Sequence, residues 1–405
     1  MIRNIIYRLL EKRHFWRYAT FSEIAELYFS RTIRTIAMHI VSGFTAVFLY
    51  EKGYSLIFIM VFWLCYYLIK IPLSFWAGVF VARFGPKHGT LVSNLLYVPA
   101  MVSLGFMPIV GIPGIVIWGI FMATSVSIYQ VCYMVDFSKV KSYEHAGKEI
   151  AFINILEKIA IGLSPIIGGL FAFWFGLQIV IWLAAILFVI SALPLLRSAE
   201  PVNTHQKIKL RGFPLRASIR SLIAETGCGF DYVATGVIWS LFIVIVIFPG
   251  VGWDVYIKLG VLSSVTILVA IATSYAYGKL IDKSKGGYLL KVSVIANALV
   301  HLSRPFAANP ATIVGTNITN EIATTGYTMS FMRGLFDNAD LSGHRILYLC
   351  LTEAIANLGA AMACITLIIC VSLLGVNDGL RSFFFFAAGF VLLIGTARFD
   401  LFRKK

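Results

Sequence analysis

The sequence is short of charge. Asp, Glu, Lys and Arg make up 13% of its 405 residues, against roughly 25% in an ordinary soluble domain. That density cannot cover a soluble fold of this length, which excludes a soluble enzyme, a disordered chain and a fibrous protein. Cysteine is scarce: Cys65, Cys132, Cys228, Cys350, Cys364 and Cys370 all lie in apolar stretches and no C-x-x-C occurs. Neither a disulfide framework nor a thiolate metal site is expected. The seven histidines are scattered without an i, i+4 pair, and no H-E-x-x-H, G-x-S-x-G or P-loop is present. No enzyme, no metal and no cofactor are therefore expected. No ABC-type nucleotide-binding motif is read in the sequence, so any transport is expected to run on a gradient. Acidic residues are the scarcer sign, 19 against 34 basic, for a net charge of +15. In a chain this apolar the excess points to anionic lipid and to topology, not to nucleic acid.

Hydrophobic residues are abundant, at 59% of the chain. A membrane helix needs about 20 mostly apolar residues. Twelve such stretches are read near 22–50, 54–80, 87–108, 111–135, 147–173, 176–196, 218–248, 254–278, 287–305, 309–332, 344–374 and 379–401. They lack the period-two alternation of ~10-residue barrel strands. The fold class expected is an all-α membrane protein of twelve spans. Of the 34 Lys and Arg, 26 fall on the side of residues 1–20 and of the loops after even-numbered spans, and only Lys52, Arg304 and Arg381 on the other. The positive-inside rule then places both termini in the cytoplasm, in a plasma membrane of the bacterial inner type. Residues 1–20 repeat Ile2, Ile5, Ile6, Leu9 and Leu10 at helical spacing among Arg3, Arg8, Lys12, Arg13 and Arg17. That is a basic amphipathic helix lying on the leaflet.

The long basic loop 198–217 divides six spans from six. The expected units are the segment 1–20, a bundle 21–197, the linker 198–217, a bundle 218–402 and a tail 403–405. The two sets of spans match in order: Ile24-Ala25-Glu26 with Ile223-Ala224-Glu225, Gly78 with Gly278, and Glu157-x-Ile159-Ala160 with Glu353-x-Ile355-Ala356. The offsets, 199, 200 and 196, describe a parallel six-helix repeat, in which two similar bundles rock about one enclosed site.

Two loops carry a family signature. After span 2 stand Gly78, Arg83, Gly85 and Lys87, and after span 8 stand Gly278, Asp282 and Lys283. They resemble the G-x-x-x-D-R-x-G-R-K motif of the major facilitator superfamily, with Ala82 and Pro86 departing from it in the first copy. In span 5, Ser164-Pro165-x-x-Gly168-Gly169 is similar to the G-P-x-x-G-G core of that superfamily's drug–proton antiporters, with Ser164 in place of the leading Gly. The resemblance implies the major facilitator fold, two pseudo-symmetric six-helix bundles around a central cavity lined mainly by spans 1, 4, 7 and 10. It also implies secondary transport of a small molecule by a monomer. Pro165, Gly168 and Gly169 would kink span 5 or let a neighbour approach.

Ionisable groups at membrane depth cost ~2.5–3.5 kcal/mol each and suggest function. Span 1 has Arg31 and Arg34 on one face, span 2 has Tyr66 and Lys70, and span 4 has Tyr129, Gln130 and Tyr133. The second half has Asp231, Asn317, Asn320, Glu321, Tyr327 and Glu353, and span 5 has Glu157. The first half is thus basic in its core and the second acidic. Two mechanisms fit. Either Arg31, Arg34 and Lys70, with the tyrosines, Gln130, Asn317 and Asn320, hold an anionic solute while Glu321, Glu353, Asp231 or Glu157 carries a proton. Or the bases and acids pair across the interface and break when one side opens. His301 and Arg304 are expected near the outer face, at headgroups or on the exit path. The function expected is proton-coupled transport of a small organic solute, anionic or amphiphilic. A drug or metabolite–proton efflux antiporter, or a lipid flippase on the same fold, is the alternative.

Overall fold

The computed structural model describes residues 21–140, 146–196, 208, 211–248 and 266–399. The expected amphipathic segment 1–20, most of the linker and the tail 403–405 lie outside them. The described chain is helical throughout. Its helices are α1 (Phe21–Glu51), α2 (Leu56–Phe84), α3 (Pro86–Val110), α4 (Ile112–Val140), α5 (Ala146–Phe175), α6 (Leu177–Ala192), α7 (Leu215–Ile247), α8 (Thr266–Asp282), α9 (Gly286–Phe306), α10 (Pro310–Leu341), α11 (Arg345–Leu374) and α12 (Val376–Thr396). Ten are long and apolar enough to cross a membrane. The other two fall short for different reasons. The described part of α8 has 17 residues. α10 has 32 but carries Asn317, Asn320, Glu321, Thr324 and Thr325, the composition of a helix that faces protein.

Local chemistry sets the helix ends. Ser55 caps α2 by accepting from the Phe58 N–H at 3.2 Å. Asn309 and Thr312 form a reciprocal capping box at α10, with Pro310 in the first turn, where its missing N–H removes nothing. α2 and α3 meet in the one-residue turn at Gly85, whose φ of +87° suits only glycine. In the second copy of that loop the left-handed residue is Ser284, at φ +60°.

Packing joins α1–α6 to α7–α12 along two seams, α2 on α11 and α5 on α8 and α10. Two apolar clusters result, each with residues from both halves of the chain. One includes Leu49, Ile59, Trp118, Phe242, Leu367 and Phe383, and the other Val81, Ile128, Phe336 and Leu349. On α2, α10 and α11 one charged group falls where one cluster gives way to the other. Lys70 lies between Tyr67 and Ala77, Glu353 between Cys350 and Ala360, and Glu321 between Ile313 and Tyr327. The molecule is two greasy plugs separated by a polar layer at mid-helix.

Glycine brings helices close where that layer needs them. A Cβ on Gly229 of α7 would stand 1.8 Å from the Ala356 carbonyl oxygen of α11, and one on Gly359 would stand 2.0 Å from that of Thr226. In α5, a Cβ on Gly168 would meet the Ile40 carbonyl at 2.6 Å, whereas one on Gly169 meets nothing within 4 Å. Gly168→Ala and Gly229→Ala should each destabilise the purified protein, by about 1–3 kcal/mol, and Gly169→Ala should leave its Tm unchanged. Thermal unfolding in detergent measures all three.

Candidate functional site

Two lysine–glutamate pairs bridge the halves. Lys70 Nζ of α2 lies 3.3 Å from Glu353 Oε1 of α11, with side chains only 7% and 10% exposed. Lys158 Nζ of α5 lies 2.8 Å from Glu321 Oε1 of α10. Helical spacing supports each acid from its own helix, because residues four apart are stacked one turn above the other. Thr325 donates to Glu321 at 2.8 Å, and Asn357 Nδ2 donates to Glu353 at 3.1 Å. The rings of Tyr66 and Tyr67 lie 5.4 and 5.7 Å from Lys70 Nζ. In both pairs the base comes from α1–α6 and the acid from α7–α12, the asymmetry read in the sequence. A buried pair adds little net stability, but removing one partner strands a charge.

A third pair lies within the first half. Arg31 of α1 binds Glu157 of α5 through Nε at 2.9 Å and through Nη2. Its guanidinium stands 3.3 Å over the Tyr133 ring. Arg31 and Glu157, together with Tyr28, Thr32 and Leu156, line a small pocket. Glu157 adjoins Lys158, so charges alternate from α1 through α5 to α10.

Arg34 is 1% exposed and has no carboxylate within 4 Å among the described residues. It donates to Asn94 Oδ1 at 2.6 Å and Ser125 Oγ at 3.3 Å, and sits 4.0 Å over the Tyr129 ring. The Tyr97 and Phe188 rings are each 5.5 Å away. All these partners come from α3, α4 and α6. The sequence places Arg31 and Arg34 together as solute ligands. The structure gives Arg31 to Glu157 and turns Arg34 into its own half of the molecule.

The second half has a matching internal cluster. Asp231 of α7 lies 2.6 Å from His301 Nε2 of α9 and accepts the hydroxyl hydrogen of Tyr327 of α10. Arg304 of α9 reaches His301 Nδ1 at 3.1 Å, Thr235 Oγ1 at 3.2 Å and Asn320 Oδ1 at 2.9 Å. It lies 4.9 Å over Trp239 and 5.5 Å over Phe384. The two clusters correspond by the repeat: Phe384 follows Phe188 by 196 residues and Tyr327 follows Tyr129 by 198. Both arginines sit over the matched phenylalanine at 5.5 Å.

His301 and Arg304, expected near the outer face at headgroups or on the exit path, are 0% and 1% exposed, so protein and not headgroups surrounds them. The helical stripe Ser293, Asn297, His301 on α9, all buried, was the available signal, since steps of four keep one face inward. Asn94 and Ser125 were also missed. Short neutral polar residues are common in membrane helices and carry no signal until an arginine is seen among them.

The other expected residues are distributed as follows. Asn317 accepts from Trp239 Nε1 at 2.8 Å, and Gln130 is half-buried without a side-chain hydrogen bond among the described residues. Gly78 abuts Cys350 across the seam, where a Cβ would lie 2.3 Å from Sγ. Arg83 and Lys283 are exposed, but Lys87 is buried and pairs with Glu26 of α1 at 3.1 Å. Gly278 is buried and Asp282 half-buried. In the α5 motif Gly168 is a packing contact and Gly169 is open, while the Pro165 side chain lies outside the described residues.

Solved structures share this fold at low sequence identity. The human organic anion transporter MFSD10 (TETRAN) superposes with a TM-score of 0.68 at 9% identity, covering 95% of this chain and all of that one. The E. coli fucose:proton symporter FucP gives 0.64 at 12%, covering 92% and 97%. A POT family transporter in complex with 5-aminolevulinic acid gives 0.71 at 10%, covering 94% and 96%. Comparison with curated proteins gives no match. The sequence model of the Major Facilitator Superfamily matches residues 27–342. A match over that much of the chain, on a helical membrane fold whose solved neighbours are transporters, makes this protein a member of the Major Facilitator Superfamily.

Proposed function

We propose that the chain is a secondary transporter that moves a small organic anion across the cytoplasmic membrane by alternating access, coupled to protons. In this reading all twelve helices span the bilayer. The bundles 21–197 and 218–402 rock against each other about the polar layer, and both termini are cytoplasmic. The observation that carries it is the pair of Lys–Glu contacts bridging the halves at mid-helix, Lys70–Glu353 and Lys158–Glu321. Opening either end separates these partners and leaves two lysines on one wall and two glutamates on the other. An anionic group bound between the bundles takes the place of the glutamates at Lys70 and Lys158, so solute binding offsets the loss of the pairs. Tyr66 and Tyr67 supply apolar faces with polar tips beside Lys70, while Tyr129 and Tyr133 lie against Arg34 and Arg31. Arg34 holds α1 to α3 and α4, and Arg31 holds it to α5, so both arginines shape the wall without reaching the solute.

Protons are the proposed coupling ion. Glu157, Glu321 and Glu353 each face a cation. Asp231 is different: its partners are an imidazole, a phenol and a threonine, groups whose protons can be rearranged.

Lys70→Gln alone should lower the Tm of the purified protein, because it strands Glu353, with a cost of about 3 kcal/mol if the site stays dry. Glu353→Gln alone should do likewise, and the double variant should recover most of the loss. Simple additivity of the two effects would show that the pair is not formed.

Reconstituted in liposomes, the protein should take up an organic anion identified by ligand-induced thermal stabilisation, and uptake should respond to a pH gradient. The folded double variant Lys70→Gln/Glu353→Gln should lose that uptake. Translocation of a headgroup-labelled lipid without any solute uptake would replace the transporter reading with a flippase.

A further inference from the structure

The Asp231–His301–Arg304 cluster lies apart from the pairs that bridge the halves, and its hydrogen-bond directions can be assigned. Guanidinium has five N–H donors and no acceptor. Arg304 Nη1 therefore donates to His301 Nδ1 across their 3.1 Å contact, and Nδ1 carries no hydrogen. The ring hydrogen is then on Nε2, which donates to Asp231 Oδ1 at 2.6 Å. The other carboxylate oxygen accepts from Tyr327, and Thr235 Oγ1 lies 3.3 Å from Oδ1. His301 is thus neutral, in one tautomer, and its single remaining lone pair is occupied by an arginine N–H.

We propose that His301 is the proton-binding residue of the transport cycle and that a proton taken up at its Nδ1 displaces Arg304. This rests on the reading of proton-coupled transport and names the group that accepts the proton. The exchange balances simply. A proton from water forms an N–H bond at Nδ1, and the hydrogen bond from Arg304 breaks. Nε2–H stays on Asp231, and the cluster gains one positive charge as an imidazolium–carboxylate pair.

The displacement has somewhere to act. Arg304 ties α9 to α7 through Thr235 and to α10 through Asn320. Asn320 immediately precedes Glu321, the partner of Lys158 in the other half. A proton on His301 therefore loosens a contact one residue away from a pair that bridges the halves. The groups facing the imidazole are Asp231 and Thr235 from α7, Arg304 from α9, Tyr327 from α10, and Phe384 from α12 with its ring 6.2 Å away. The nearest further cation on α12 is Arg381, which donates to the Pro305 carbonyl.

The test uses the full chain in lipid nanodiscs with 15N-labelled histidine, His301→Asn serving only to assign the resonance. At neutral pH His301 should show the neutral Nε2–H tautomer. On acidification it should convert to imidazolium, together with a change in the emission of Trp239, the ring beneath Arg304. That component is isolated by subtracting Trp239→Phe, and it should be lost in Arg304→Gln. An Nδ1–H tautomer, a ring that stays neutral down to the pH of unfolding, or a Trp239 signal indifferent to His301 protonation would overturn the proposal. Proton flux in liposomes separates this from the broader reading. Flux with a His301 ring that never titrates removes the site and keeps proton coupling. A titrating His301 with solute uptake but no proton flux removes its role in the cycle.

Discussion

A charge carried to the middle of a bilayer must find an opposite charge or a ring of polar groups, because hydrocarbon offers it nothing. That constraint organises this protein. Its polar layer lies at mid-helix, sealed above and below by apolar clusters that each draw on both halves of the chain. Among the described residues, most charges in the layer are answered by protein groups. Some answers are internal to one half, as for Arg34 on Asn94 and Ser125 or Asp231 on His301. The others cross between halves, as for Lys70–Glu353 and Lys158–Glu321. The internal contacts hold each half together. The crossing contacts are the ones a relative movement of the halves must break, and their like-signed walls, two lysines against two glutamates, give that movement a chemical consequence.

The repeat explains why the layer is built as it is. The same space between helices, α1/α3/α4/α6 in one half and α7/α9/α10/α12 in the other, holds an arginine over a phenylalanine 196 positions apart in the chain. In the first half that arginine meets neutral groups and aromatic rings. In the second it meets an imidazole backed by a carboxylate. One architecture thus holds an arginine among neutral groups in one half and an arginine–imidazole–carboxylate cluster in the other.

Most of the helical plan was legible in the sequence. Long apolar runs, Gly85 at a turn and Pro310 after Asn309 each have a local cause, and most helix bounds follow them within about five residues, whereas α10 runs on to Leu341, past the expected end near 332, through the polar stretch Arg333–Asp340. The basic and acidic bias of the two halves was legible too, and it became the polarity of the bridging pairs. Which base meets which acid was not. Lys70 and Glu353 are far apart in sequence and meet only because α2 packs on α11. Arg34 shares a helical face with Arg31, yet one is half-turned toward α5 and the other toward α3 and α4. His301 and Arg304 lie close to a helix end, where snorkelling to water is the ordinary outcome. The packing of α9 against α10 and α12 turns them inward, which the polar stripe through His301 hinted at and nothing local to Arg304 did.

The central claim is that the two halves move against each other about the layer of bridging pairs. Pulsed electron resonance on nitroxide pairs measures it most directly, in a chain whose six native cysteines are replaced. One pair joins exposed Arg83 and Lys283, at the α2–α3 and α8–α9 loops, and the other joins exposed Lys52 and Asp378 at the opposite end. Substituting Lys70 and Lys158 with Gln, or adding a transported anion, should lengthen one distance while the other shortens. Distances that stay fixed at both ends, or that change together, would contradict the account.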